Sequence, residues 1–522
     1  MLLSKILPKT AQMHPTKNAM RDKNGTLTYD QLFNKVNRVA QGFHDLAIKP
    51  GDRIALISSP SPYLAIAELA AVAIGAIPVT IFPGLAANEI KNIVQDAAPT
   101  ALVYSSEQSQ LLESLSSLPI AHFISCTLDQ SPLSLQSFMV HCPALVDWHE
   151  AEPDDVALII YTGGTTGRSK GVMHSHRHIR NWSFMNLERG GGHNTSKKSI
   201  VMNQAHLTGQ FVLWTTLFEG GCLIYPNEYP VRAEEIVDII EREQIRFLGT
   251  VGLLFRDIVL MENIKSRSLQ SIEGISCGGA PISENVFHQA LTIFPNAQIT
   301  EVYSQTESGQ FISFLNINQC FHEGKLNRLV SVGNPANLPY WGQQAFQIRI
   351  INEHGQDVKQ GETGEIICKG EQIMLGYWNN PVETNHALQD GWLYTGDLGR
   401  FDEDGYLYLM DRKKDIIIID GANVYCSEVE EALSKHPSIR EVAVVGTPLL
   451  VDGEEVTAVV SLKGDAELTL TDLKIFCHEQ IAPFKIPTRL EIVASLPRTS
   501  VGKLNKAELK KPYWLGRTRM IN

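Results

Sequence analysis

Apolar positions recur at helical spacing from Tyr29 to Leu46 and predict an amphipathic helix there. Pro50-Gly51-Asp52 then makes a turn, and the run Arg53–Ile57 predicts a short buried strand. The same strand pattern returns at Ala101–Tyr104 and at Val156–Tyr161, where it runs into a glycine loop. Glu234–Glu243 is again helical, ahead of a strand at Phe247–Thr250. Helices interleaved with short apolar strands predict α/β layers. One uncharged stretch, Leu69 to Ala87 between Glu68 and Glu89, has about the length of a membrane span. Gly75, Pro78, Pro83 and Gly84 break it, so it reads as a buried helix (Leu64–Ala73), a buried strand (Ile77–Ile81) and a turn at Pro83-Gly84.

From about Gly364 the texture changes. Glu365–Lys369, Gly405–Leu409 and Asp415–Ile419 predict short strands in a β-rich subdomain. The last hundred residues form an α+β pattern. A helix over Ser427–Lys435, with a serine cap and early acids, precedes strands at Glu441–Gly446 and Val456–Leu462 and a helix at Thr471–Ile481. The expected fold is therefore α/β: a large N-terminal domain of α/β layers with a β-rich subdomain, then a small α+β C-terminal domain.

At 522 residues, with 43% hydrophobic and 20% charged positions, more than one globular core is expected. A net charge of −12 argues against a nucleic-acid partner, which needs a surplus of Lys and Arg. The eight cysteines are dispersed without a C-x-x-C pair, reading as buried thiols in a reducing, cytoplasmic setting. His174, His176 and His178 alternate as if along one side of a strand. No carboxylate or cysteine stands near them in sequence, so packing is the reading rather than a metal site.

The densest chemical signal is Tyr161-Thr162-Gly163-Gly164-Thr165-Thr166-Gly167-Arg168-Ser169-Lys170-Gly171. Glycines let backbone amides approach polyphosphate oxygens, while hydroxyls and Lys170 add donors. It is not a Walker loop, which needs Gly-Lys followed by Ser or Thr. The segment resembles the phosphate loop of the acyl-adenylate-forming superfamily, with Ser169 where that family usually has proline.

Further matches follow in the family's order along almost the whole chain. Asn203-Gln-Ala-His206-Leu-Thr-Gly209 resembles the segment whose histidine gates the acyl pocket, and Ser276-Cys-Gly278-Gly279-Ala280-Pro281 the turn against adenine. Tyr303-Ser304-Gln305-Thr306-Glu307 resembles the family's Tyr-Gly-x-Thr-Glu, with Ser304 replacing glycine. The resemblance implies that Tyr303 stacks on adenine, Thr306 contacts phosphate and Glu307 holds Mg2+. An aromatic face suits a purine, and a carboxylate beside a triphosphate suits a hard cation. Gly376-Tyr377-Trp378-Asn379 and Tyr394-Thr395-Gly396-Asp397 are close matches, with Asp397 implied at the ribose. Standing alone, Asp397 would read as an ordinary turn aspartate. Arg412 is implied at the nucleotide, Lys414 as hinge and Gly421 near a thiol tunnel. Lys503, in Pro497-Arg-Thr-Ser-Val-Gly-Lys503-Leu-Asn-Lys506, is implied as the adenylation lysine. The expected domains are accordingly 1–411, a hinge at 412–414, and a mobile domain over 415–522.

The implied chemistry has two steps, adenylation of a carboxylic acid by Mg-ATP and transfer of the acyl group to a thiol. Coenzyme A is the favoured acceptor because no carrier domain follows the lysine loop. A carrier protein's phosphopantetheine arm and a degenerate nucleotide sensor are the alternatives. By analogy of position the acid pocket lies among Trp182, His206, Gln210, Trp214, Thr250, Val251, Gly278 and Tyr303. These are mostly apolar or aromatic and offer no partner for a substrate amine, which favours a fatty or aryl acid. Trp214 is a candidate cap on the pocket.

Overall fold

A computed structural model describes residues 2–127, 133–145, 147–162, 169–190, 197–279, 282–337, 339–340, 343–344, 347–412, 415–419, 422–448, 454–478, 480–499 and 503–514. Contacts divide the chain into two compact units, one of residues 1–347 and 368–393, the other of 348–367 and 394–522.

The first unit is built on parallel sheets, as the alternating pattern demands. Five parallel strands lie in the order Val156–Thr162, Ile77–Thr80, Arg53–Ile57, Ala101–Tyr104, His122–Ser125. Lys170–Ser175 folds back antiparallel on Val156–Thr162, and Gly376–Tyr377 adds to its outer edge. A second sheet carries Phe247–Val251, Gly274–Gly278 and Gln298–Gln305 in parallel, closed by antiparallel Gly309–Asn316. The amphipathic helix Tyr29–Asp45 starts at a capping box, in which Thr28 and Gln31 satisfy each other's backbone N–H groups. The uncharged stretch is core: the helix Pro62–Ala73 is buried from Leu64 onward, Glu68 included, and the strand Ile77–Thr80 is buried throughout. Among the described residues no helix is long and apolar enough to cross a membrane.

The second unit holds most of the β-rich segment and all of the C-terminal α+β segment. Gly364–Lys369, Trp392–Phe401 and Leu407–Arg412 are neighbours in one sheet. Ile439–Pro448, Glu454–Leu462 and Arg489–Ile492 form another, against the helices Cys426–Ser434 and Lys506–Trp514.

Two local expectations are corrected. Ser427 does not cap its helix, because Tyr425 occupies that position and the Ser427 hydroxyl donates instead to the Met410 carbonyl. The three histidines do not share a strand face. His174 lies near the end of the strand Lys170–Ser175, whereas His176 and His178 open the helix His176–Gly190. Ser175 Oγ accepts the His178 N–H at 3.3 Å, an N-cap three residues ahead that changes the period from 2 to 3.6. All three rings are buried, which depresses their pKa values to about 3, about 4 and about 4 respectively.

Candidate active site

The glycine loop hangs from a hairpin whose stems are locked in register, Thr162 opposite Lys170 and Tyr161 opposite Gly171. Tyr161 anchors one stem by donating its hydroxyl to Asp96 Oδ2 at 2.5 Å. Gly163, Gly164, Thr165, Thr166 and Gly167 lie outside the described residues. At the other stem Lys170 pairs with Glu383, and its ammonium stands 4.9 Å from the Tyr377 ring centroid. Glu383 is delivered by the helix Pro381–Ala387, which starts with Pro381 at its first turn and the Asn380 side chain accepting the Glu383 N–H at 3.1 Å.

The second sheet brings two of the motif segments and the pocket candidate Val251 to one end. Val251, Gly278 and Val302 pair in a row, so the glycine turn after Gly278 and the Tyr303 segment sit at adjacent strand ends. Gly278 is required there: a Cβ would stand 2.4 Å from the Val302 carbonyl oxygen. Gly279 follows at φ +79°, and Ala280 and Pro281 lie outside the described residues. Tyr303 is buried, while Thr306 and Glu307 sit partly exposed on the turn between Gln298–Gln305 and Gly309–Asn316. Ser308 closes that turn by accepting the Gln305 N–H at 2.9 Å. Ser304 lies in that strand where the pairing with Gly309–Asn316 shifts register, between Tyr303 opposite Ser313 and Gln305 opposite Gly309.

Hydrogen bonds to Glu307 join the two sheets. Tyr377 donates its hydroxyl to Glu307 Oε1 at 3.0 Å, and Met374 N–H donates to the Glu307 carbonyl at 2.8 Å. Trp378 N–H meets the Gly171 carbonyl at 2.7 Å. The Gly376–Asn379 motif thus docks on the Lys170 hairpin and holds Glu307 at the same time. Sequence reading left Tyr377 and Glu383 without a role.

His206 stands at the N-cap position of the helix Leu207–Glu219, its ring tilted against Phe82 at 5.6 Å. Gly209 lets the preceding turn fold onto that helix, since a Cβ there would come within 1.8 Å of the Asn203 carbonyl oxygen. Trp182, Gln210 and Trp214 are buried to 0–1% exposure, with both tryptophans in the large core cluster. Trp214 Nε1 donates to Gln210 Oε1 at 3.1 Å. Val251 by contrast is 43% exposed, and Thr250 is buried. Beneath this end of the sheet Glu301 is a buried carboxyl whose pKa burial lifts to about 8.

In the second unit Asp397 lies inside the strand Trp392–Phe401, not in a turn, and pairs across to Arg412. Asp397 is buried, and its N–H donates to Thr395 Oγ1 at 3.1 Å. Arg412 ends the strand Leu407–Arg412; Lys414 and Gly421 lie outside the described residues. The Lys503 loop is tied at its base. Thr499 N–H donates to the Lys503 carbonyl at 2.6 Å, Lys503 N–H to Thr499 Oγ1 at 3.2 Å, and Asn505 N–H to the Pro497 carbonyl at 2.9 Å. Lys503 itself is exposed.

Parallel α/β sheets with a glycine hairpin, a Tyr-x-x-Thr-Glu turn and a tied C-terminal lysine loop define the class, an adenylate-forming enzyme. The AMP-binding enzyme family model matches residues 7–378, and that of the AMP-binding enzyme C-terminal domain matches residues 428–503. The chain belongs to the AMP-binding enzyme family, the adenylate-forming ligases. It is 29% identical over 518 residues to the fatty acid–acyl-carrier-protein ligase ScoC of Streptomyces coeruleorubidus, covering 98% of this chain and 96% of ScoC. It is 27% identical over 508 residues to a feruloyl-CoA synthase of an Amycolatopsis species, covering 97% and 98% of the two chains. Among solved structures it resembles the amide bond synthetase McbA of Marinactinospora thermotolerans, with a TM-score of 0.86, 25% identity, and 98% and 100% coverage.

Proposed function

We propose that this protein is an acid–thiol ligase that converts a fatty or aryl carboxylic acid to its acyl-adenylate with ATP and then to its coenzyme A thioester. The observation that carries the adenylation half is the Tyr377 link, which couples the phosphate-loop lysine to Glu307. The acid class and the thiol acceptor draw support from the relatives, one named for fatty acids and a carrier protein, another for a feruloyl thioester of coenzyme A.

In the first step a carboxylate oxygen of the acid attacks the α-phosphorus of ATP. A P–O bond forms to that oxygen, the bond to the bridging oxygen breaks, and pyrophosphate leaves. The acid is already a nucleophile, so the protein supplies position and charge. Lys170 and the hydroxyls of the glycine loop take the β- and γ-phosphates, Lys170 exchanging Glu383 for phosphate oxygens. Tyr303 and the Gly279 turn take adenine, Thr306 a phosphate, Asp397 the ribose hydroxyls and Arg412 the nucleotide. Lys503 is the cation for the carboxylate and the α-phosphate. His206 borders the acid, together with Val251 and Gly278.

Glu307 fits Mg2+, because one partly exposed carboxylate plus substrate phosphates is how that cation is ordinarily held. When bound, the ion neutralises charge on the departing pyrophosphate. In the second step the thiolate sulfur attacks the acyl carbon and AMP leaves. Lys503 serves only the first step, and a pivot at Lys414 with a thiol path by Gly421 belongs to the same reading.

The test is pyrophosphate release with Mg-ATP over a panel of fatty, aryl and amino acids, each with coenzyme A, with a phosphopantetheinylated carrier protein, or with neither. Release with one fatty or aryl class, and a thioester only with coenzyme A, is the expected result. A thioester only on the carrier protein would move the acceptor. Release that answers only to amino acids would overturn the acid class.

A further inference from the structure

Glu68 is the one charged residue in a helix otherwise made of Pro, Tyr, Leu, Ala, Ile and Val. It is fully buried, and among the described residues neither a lysine nor an arginine pairs with it. Its Oε2 accepts two amides, Gln204 Nε2 at 2.7 Å and Gln210 Nε2 at 3.1 Å. Those glutamines bracket His206, two residues before it and four after. Gln210 Nε2 also reaches the Gln204 carbonyl at 2.7 Å, which closes the turn on itself. Trp214 extends the chain by donating to Gln210. Among the described residues, every side-chain hydrogen-bond partner of Glu68 therefore lies on the segment that presents His206.

A buried carboxyl without a cation beside it among the described residues is a costly way to fill a core. What Glu68 gives in return is a fixed acceptor for two donors at the start of the helix Leu207–Glu219. The remaining restraints on the turn are weaker or local. Ala205 N–H donates to Asn203 Oδ1 at 3.0 Å, and Thr80 Oγ1 donates to the Ala205 carbonyl at 3.4 Å.

We infer that Glu68 is a positioning residue for the acid site, holding the Asn203–His206 turn through Gln204 and Gln210 so that His206 meets the substrate in one orientation. The inference rests on the reading above that His206 borders the acid. Among the described residues, Glu68 Oε1, Gln204 Oε1 and the Tyr225 hydroxyl have no hydrogen-bond partner. Burial raises the Glu68 pKa to about 7, and Tyr225 is the titratable group facing it among the described residues. Gln204, Gln210 and Trp214, its other neighbours, do not titrate.

The experiment compares Glu68→Leu and Glu68→Gln in the full-length enzyme. Glutamine keeps an oxygen for the two amides, so it holds the turn; leucine strands both amides. For Glu68→Leu the KM for the acid is expected to rise about 10-fold or more, as a displacement on the order of 1 Å produces. The KM for Mg-ATP should stay within about 2-fold, and Glu68→Gln should restore the acid KM. Hydrogen exchange at Ala205 and His206 should accelerate in the leucine variant alone. Unchanged exchange in folded Glu68→Leu would overturn the inference. Faster exchange in a variant whose acid KM is unmoved, with His206→Ala equally silent, would leave Glu68 holding the turn and remove His206 from the acid site. If the leucine variant does not fold, Glu68→Asp, one methylene short of the amides, gives the same comparison.

Discussion

Removing one oxygen from Tyr377 isolates the link between the two sheets. Tyr377→Phe keeps the ring against which Lys170 stands and deletes only the hydroxyl bonded to Glu307 at 3.0 Å. Tyr377 is 8% exposed, so nothing large repacks. A hydrogen bond to an ionised acceptor contributes roughly 1.5–3 kcal/mol net, and partial exposure of Glu307 places this one at the lower end. About 1.5 kcal/mol corresponds to roughly a 10-fold loss. The loss should fall on kcat/KM for Mg-ATP and on the Mg2+ concentration giving half-maximal rate, while the KM for the acid stays put. Pyrophosphate release, titrated first in Mg-ATP at fixed free Mg2+ and then in Mg2+, measures both. An unchanged Mg2+ titration refutes the reasoning. Glu307→Gln then locates the fault: a large defect there means Tyr377 does not orient Glu307, and no defect means Glu307 does not serve the cation.

Three other outcomes are expected. Lys503→Ala should abolish adenylation, assayed as acid-dependent pyrophosphate release, while thioester formation from supplied acyl-adenylate continues; equal loss of both would remove Lys503 from its assigned step. Gly209→Ala drives a methyl into the Asn203 carbonyl, which backbone cannot yield cheaply. A loss of about 3 kcal/mol in urea unfolding, with a raised acid KM, is expected, and wild-type values in both would refute the clamp. Glu68 binds its proton more tightly folded than unfolded, its pKa rising from 4.5 to about 7. Stability should therefore fall by about 3 kcal/mol between about pH 4.5 and pH 7, then level off. Glu68→Gln lacks that slope, so unfolding curves at pH 5 and pH 8 should close the gap or reverse it; parallel curves for the two proteins would contradict the burial argument.

Much of the fold was legible because each strand is a short apolar run with turn residues at its ends. Arg53–Ile57 and Ala101–Tyr104 have the observed bounds, and the buried helix and strand around Gly75 follow from the broken apolar run. Where reading failed, a local hydrogen bond decided the matter. Ser427 has the chemistry of a cap, but the chain enters the helix one turn position earlier and spends the hydroxyl on Met410. The histidine alternation hid a change of period at Ser175, whose spacing to His178 was the signal available. Asp397, which standing alone would read as a turn aspartate, lies within a strand that continues to Phe401.

The motifs themselves were readable, and what holds them was not, for a reason of sequence distance. Glycine spacing says where a backbone approaches a ligand, because the constraint is local. The partner that orients a candidate site side chain carries no such mark. Glu383 lies 213 residues from Lys170, Tyr377 lies 70 from Glu307, and Glu68 lies 136 from Gln204. Each is an ordinary residue on an ordinary element until the sheets bring it into range. Glu68 alone left a trace, a carboxylate at the lip of an uncharged run where a helix had to be buried. A charge that burial should have removed, and did not, is a sign that something nearby depends on it. Here the neighbours are the two glutamines that flank His206, so the same residue that spoils the apolar run also ties the core of the first unit to the turn expected to meet the acid.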